Sequence, residues 1–320
     1  MILVTGATGF IGGHVIRELL RRGEEVIAVS RYPFRPETSY LLDGFSPSQF
    51  SLMGHDDTEL VRRFAASTID SVIHLDAQSS PVALEKDPVS AVESNFLATV
   101  RLLELTRQYG AARFVFASSI AVLPTVLYEP IDASHPLVTG QHGPGGGFYG
   151  ASKAAAELFT LAYGEAFGFA TSVVRPSAVY GFGMQYPITV RPVIEGLSAG
   201  RPVTIPARGP LRDYTYVEDV AQVFATLATT SAQSSNVHFA ATGEPLKSAS
   251  DIAEAALKVF PNGSVTLADA DADPTGIESS YRGRLAVAET FDELGLAPFA
   301  DLATGMERYA RQLEAFRAQL

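Results

Sequence analysis

Three glycines spaced three apart near the start of the chain limit its fold more than any other feature. In Val4-Thr5-Gly6-Ala7-Thr8-Gly9-Phe10-Ile11-Gly12-Gly13, an apolar run from Ile2 to Val4 leads directly into the glycines. Apolar residues then recur at Phe10, Val15, Ile16, Leu19 and Leu20, which is helical spacing. A buried strand, a tight turn and a helix N-terminus in this order point backbone N–H groups and the positive end of a helix dipole at one place. A pyrophosphate suits that place, and glycines let it approach the backbone. The spacing is G-x-x-G-x-x-G, so the general G-x-G-x-x-G fingerprint is met only in part. A strand-to-helix turn without a ligand is the competing reading.

Strand-like and helix-like segments alternate through the first half. Strands are expected at 2–4, 25–30, 50–53, 71–75, 112–117 and 170–174, and helices at 10–22, 57–66, 89–109 and 151–167. This pace predicts an α/β fold with a doubly wound parallel sheet and helices on both faces. From about Tyr180 the pattern shortens into Pro- and Gly-rich segments, with helices at 188–199 and 250–259. We read residues 1–180 as a dinucleotide-binding domain, with 213–245 returning to it. Residues 181–320 are then mainly a smaller α/β substrate lobe. Asp269-Ala-Asp-Ala-Asp273 lacks the glycine and distal glutamate of a calcium loop and reads as a solvated loop.

Bulk chemistry removes several function classes. A net charge of −11 with no basic block argues against nucleic acid as a partner. The absence of cysteine removes disulfides, thiolate metal ligands and cysteine nucleophiles. None of the six histidines falls in metal-ligand spacing, so no metal is expected. No apolar run reaches the roughly 18 residues of a membrane span, and the first strand leaves no room for a signal peptide. The expectation is a cytoplasmic protein without a membrane partner.

Two further motifs carry chemistry. In Phe148-Tyr149-Gly150-Ala151-Ser152-Lys153, Tyr149 and Lys153 are four apart and share one face of a helix. A nearby ammonium favours the phenolate of a tyrosine, whose ordinary pKa of about 10 makes it a poor proton shuttle at neutral pH. The second motif, Phe114-Val115-Phe116-Ala117-Ser118-Ser119, ends a predicted parallel strand in two hydroxyls. Ligands of such sheets lie beyond the carboxyl ends of the strands.

With these motifs in this order, the chain resembles the extended short-chain dehydrogenase/reductase family, and within it the NAD-dependent epimerase/dehydratase branch of nucleotide-sugar epimerases. Further matches are Val72-Ile73-His74-Leu75-Asp76-Ala77, Asn95 in the long helix, Arg175-Pro176 with Tyr180-Gly181, and Arg212-Asp213 with Val217-Glu218-Asp219. The resemblance implies a Rossmann fold and hydride transfer at a sugar carbon. In it, Tyr149 is the general acid/base, while Lys153 holds the nicotinamide ribose and lowers the tyrosine's pKa. Ser119 binds the reacting oxygen, with Ser118 as the fallback, and Arg212 reaches a substrate phosphate. The implied cofactor contacts are Gly6, Gly9, Phe10, Ile11, Gly12, Ser30, Arg31, Asp56, Leu75, Ala77, Asn95, Tyr149, Lys153 and Pro176. His74 reads as a structural histidine.

Departures from the family pattern bear on specificity. The second strand ends Ala28-Val29-Ser30-Arg31 where NAD-preferring members carry an acid, which favours NADP, with NAD as the alternative. No acid follows Ser119, which argues against dehydration and for epimerisation or simple reduction. Asp76 stands where the family has a small residue, and Ser177 where it often has asparagine. His55 stands where a family aspartate approaches adenine, leaving Asp56 as a weaker substitute. The glycine-rich stretch 141–147 reads as a flexible loop. A nucleotide sugar is the expected substrate, and a homodimer the expected assembly. The competing functions are reduction of a non-nucleotide ketone or alcohol, and non-catalytic NADP sensing.

Overall fold

The computed structural model describes residues 1–46, 48–54, 57–66, 68–123, 126–138, 145–186, 188–230, 236–271 and 283–320. Its strands are β1 (Ile2–Thr5), β2 (Val26–Ser30), β3 (Phe50–Gly54), β4 (Ser71–His74), β5 (Arg113–Ala117), β6 (Ala170–Pro176), β7 (Ala178–Tyr180), β8 (Val203–Arg208), β9 (Tyr214–Tyr216), β10 (Val237–Ala240) and β11 (Val265–Asp271). Seven of them form one parallel sheet in the order β10-β6-β5-β4-β1-β2-β3. The order reverses at β1, which opens a crevice beyond the carboxyl ends of β1 and β4.

The helices are α1 (Phe10–Arg21), α2 (Pro36–Leu41), α3 (Asp57–Ala66), α4 (Pro81–Lys86), α5 (Pro88–Ala91), α6 (Ala98–Tyr109), α7 (Gly147–Phe167), α8 (Val190–Ser198), α9 (Val217–Thr229), α10 (Ala249–Val259), α11 (Ala288–Leu294) and α12 (Leu302–Arg317). Helices cover both sheet faces, which is why the strands are apolar on both sides. Ile2 and Val4 of β1 pack towards Val15, Ile16 and Leu19 of α1 and Val220, Phe224 and Leu227 of α9. Leu3, between them, belongs to the opposite core with Phe64 of α3, Leu102 and Leu103 of α6 and Ala156 of α7.

A third core holds α8, α10 and α12 together through Val193, Ile194, Ile252, Met306 and Tyr309, packed on Tyr180, Tyr214 and Tyr216. Two parallel strand pairs, β7 with β9 and β8 with β11, complete this part. Gly305 of α12 is required there, because a Cβ would run into the Tyr180 hydroxyl. The chain returns to the large sheet through α9 and β10. Among the described residues no helix is long and apolar enough to cross a membrane.

Three local expectations change. The helix expected over 89–109 is interrupted by a π-helical turn, Val92–Leu97, between α5 and α6. Helix α7 begins at Gly147 rather than at 151, because Gly146 supplies the left-handed entry at φ +67°. Asp269 and Asp271 lie on strand β11 instead of in a loop, with Asp269 exposed and paired to Arg208. Asp273 and residues 141–144 lie outside the described residues.

Candidate active site

The turn after β1 shows why glycine is needed. Gly6 sits at φ +65°, and a Cβ there would come within 2.7 Å of the Asp76 backbone nitrogen. A Cβ on Gly12 would strike the Gly6 carbonyl. Helix α1 opens at Gly9 with no side-chain cap and no acidic residue in its first turn. Its first N–H groups are therefore left for an anion, as a pyrophosphate requires.

A cavity of about 480 Å³ opens beside this turn, and Gly6, Gly9, Phe10, Ile11 and Gly12 line it. Ser30 and Arg31 join from the end of β2, Leu75 and Ala77 from the end of β4, and Ser118 and Ser119 from the end of β5. Tyr149 and Lys153 enter from α7, Pro176 from β6, and Arg212 from the segment before β9. Residues from opposite ends of the Gly6-to-Arg212 stretch thus meet on one surface.

The two serines have different surroundings. The buried Ser118 hydroxyl donates to Glu157 Oε2 at 2.7 Å, and Glu157 is paired with the equally buried Arg175. Ser118 therefore contributes wall, while its hydroxyl is committed inward. Ser119 Oγ accepts the Ala121 N–H at 3.1 Å and keeps its own proton to donate. Lys153 is almost fully buried and donates to the Ala117 carbonyl at 2.7 Å, with Nζ 4.8 Å from the Phe116 ring centroid. Desolvation brings its pKa down to about 8, and the negative charge of Asp76 opposes that fall.

Asn95 does not line the cavity. Its Oδ1 accepts the Gln78 N–H at 2.7 Å, and its Nδ2 donates to the Gln78 carbonyl and to Ser152 Oγ, both at 3.0 Å. It ties the segment after β4 to α7, and the π-helical turn is what aims it there; π turns gather at functional sites. In this structure its side chain is engaged by Gln78 and Ser152. Asp56 and His55 lie outside the described residues. His74 is buried between Thr5 Oγ1 at 2.6 Å and Thr99 Oγ1 at 3.0 Å, a structural setting.

The remaining wall includes residues to which the motifs assign no role. The Ser177 hydroxyl is buried at the cavity with no hydrogen-bond partner among the described residues. Such a group is costly unless a ligand bonds to it. Glu157, which no motif marks, lies behind Ser118 and not on the wall, four residues after Lys153 on the same helix. Arg31 does not stand alone: its guanidinium lies 3.6 Å from the Asp76 carboxylate. Arg212 is fixed by backbone bonds in both directions with Lys247, and its neighbour Asp213 anchors Thr242 and Gly243. Among the described residues no group of three or more His, Asp or Glu side chains could hold a metal ion.

A model of the NAD dependent epimerase/dehydratase family matches residues 2–241 of this chain. The chain belongs to that family. UDP-glucuronate 4-epimerase of Thermodesulfobacterium geofontis is 30% identical over 231 residues, covering 69% of each chain. UDP-glucose 4-epimerase of Thermus thermophilus, solved in complex with NAD, has a TM-score of 0.76 at 26% identity and covers 100% of this chain and 99% of its own. MoeE5 in complex with UDP-glucuronic acid and NAD matches over the same shares, at a TM-score of 0.76 and 25% identity. This member of the epimerase/dehydratase family is an enzyme of the extended short-chain dehydrogenase/reductase type. Its glycine turn has the residues and free N–H groups that NAD needs.

Proposed function

We propose that the chain is an NAD-dependent epimerase of a nucleotide sugar, working with Ser119, Tyr149 and Lys153. The observation that carries this reading is the meeting of those three residues with the glycine turn in one cavity. Bound NAD supplies a reversible hydride acceptor at the sugar carbon. Ser119 holds the oxygen of that carbon through its free proton. Tyr149 takes the hydroxyl proton as a phenolate and returns it after the sugar has turned over. Lys153, charged below about pH 8, keeps the phenolate accessible near neutrality. Arg212 reaches the substrate diphosphate, where a forked guanidinium suits paired oxygens. The orphan Ser177 hydroxyl adds a polar contact.

Epimerisation is preferred to dehydration because Ser119 is followed by the short 3₁₀ turn Ile120–Val122, which offers no acid to expel water. The test is cofactor stoichiometry. Incubated with UDP-glucose or UDP-glucuronic acid, the protein is expected to interconvert C4 epimers with no net change in NADH absorbance. One NADH appearing or consumed per turnover would replace this reading with a reductase, and no turnover of either sugar nucleotide would remove both.

The assembly we propose is a homodimer through α5, the π turn and α7. Val89, Val92, Leu97, Leu158 and Phe159 are apolar and exposed on these elements, and Phe96 packs edge-on to Phe159 at 4.9 Å. Such an apolar surface marks an interface. Sedimentation is expected to give a dimer at micromolar concentration, and a monomer there would end the proposal.

A further inference from the structure

We infer that Asp76 makes this site selective for the dinucleotide without a 2′-phosphate, by holding Arg31 and placing a carboxylate beside the cofactor groove. The inference rests on the dinucleotide reading given above. In the sheet order β4-β1-β2, the ends of β4 and β2 flank the glycine turn of β1. Asp76 follows β4 by two residues and Arg31 directly follows β2. Their side chains close to 3.6 Å across the turn, and both line the cavity.

Of the two, Asp76 is the anchored partner. Its backbone packs where a Gly6 side chain would be, and its N–H donates to Thr5 Oγ1 at 3.4 Å. The backbone that carries the carboxylate is therefore fixed beside the groove. Arg31 is half-exposed and reaches over to the carboxylate. A half-exposed pair of this kind adds little to stability. Its effect is on the local charge that a ligand meets.

Both residues that favour a 2′-phosphate in the sequence are already engaged. The Ser30 hydroxyl is bonded to Thr8 Oγ1 at 2.6 Å and accepts the Tyr32 N–H at 3.2 Å. Arg31 is matched by Asp76, so the pair sums to zero. A phosphate would bring about −1.5 to −2 charges to a wall holding a carboxylate. Such repulsion acts well within the roughly 8 Å over which salt screens charge. An ionised carboxylate only accepts hydrogen bonds, so it suits the hydroxyls of an unmodified ribose. Of the other cations of the cavity, Lys153 is close enough to feel the Asp76 charge but spends a hydrogen bond inward. Its ammonium is held at the Ala117 carbonyl at the end of β5, and Arg212 comes from the segment before β9.

The test is the binding of NAD and of NADP, measured by calorimetry on the purified full chain after removal of any retained dinucleotide. Wild type is expected to prefer NAD by about tenfold or more, and Asp76→Asn to move the NAD:NADP ratio towards NADP by about tenfold. Arg31→Gln alone leaves the Asp76 carboxylate unopposed and is expected to move the ratio further towards NAD. Added to Asp76→Asn, it should remove most of the gain in NADP binding. A wild type that prefers NADP, an unchanged ratio in Asp76→Asn, or a ratio moved towards NADP by Arg31→Gln alone would each overturn the inference. A wild type that binds neither dinucleotide would instead overturn the reading on which it rests.

Discussion

Replacing Tyr149 by phenylalanine is expected to lower turnover of the sugar nucleotide by about 10²–10⁴-fold, the usual range for removing a positioned acid/base. The ring stays and only the hydroxyl goes, so the fold should survive. Dinucleotide binding should change far less than kcat, because the glycine turn and the first turn of α1, proposed to hold the pyrophosphate, are left intact. The pH profile gives a second readout. Lys153 carries its charge below about pH 8 and loses it as pH rises through that value. Support for the phenolate is then withdrawn, and the wild-type rate should turn down on the alkaline side. The same shift has a sign in stability. A lysine whose folded pKa lies below its unfolded value costs stability while both states are protonated. That cost is relieved between about pH 8 and the ordinary value of 10.5, so stability contributed by this group rises with pH there. Turnover in Tyr149→Phe equal to wild type would remove the tyrosine from the mechanism.

The largest loss of stability is expected from Glu157→Ala. Glu157 and Arg175 are 1% and 3% exposed, and the pair is supported by the Ser118 hydroxyl at 2.7 Å. Removing the carboxylate strands the guanidinium in the core, which costs about 3–5 kcal/mol in comparable buried pairs. Replacing both partners by apolar residues of similar size should cost much less, because no charge is left uncompensated. Urea denaturation of the single and double variants separates these cases. The single change should also slow catalysis, since Ser118 precedes Ser119 and loses its anchor. A stability loss under about 1 kcal/mol would mean that water reaches the site and that the pair is not a structural unit.

What the sequence made legible was local. The glycine turn is read within eight residues, and Tyr149 with Lys153 within one helical turn, because a single element sets their geometry. The parallel sheet followed from the alternation of its segments. Relations across elements were not legible. Arg31 on its own favours a phosphate, and only the order of the strands brings it to Asp76. Asn95 was placed in the long helix, but its bonds to Gln78 and Ser152 were not legible, because a π turn has no spacing signal. Only the resemblance preferred Ser119 to Ser118, and the buried Glu157, which takes the Ser118 hydroxyl, was not legible. Helix α12 could have been found: Leu302, Met306, Tyr309, Ala310 and Leu313 repeat at helical spacing and are all buried.

The π turn at Val92–Leu97 makes this part of the chain sensitive to length as well as to composition. It holds one residue more per turn than the α-helices on either side. Deleting a single residue there would let the ladder close as an ordinary α-helix, and each residue of an α-helix turns the axis by about 100°. The six π-helical residues turn the axis about as far as five α-helical ones would, so α5 and α6 would keep their phase, while Asn95 would lose the widened turn from which it meets Gln78 and Ser152 together. Most helices tolerate side-chain changes better than changes in count. In this segment the count is itself part of the site, and length variants should be purged more strictly than substitutions on the same surface.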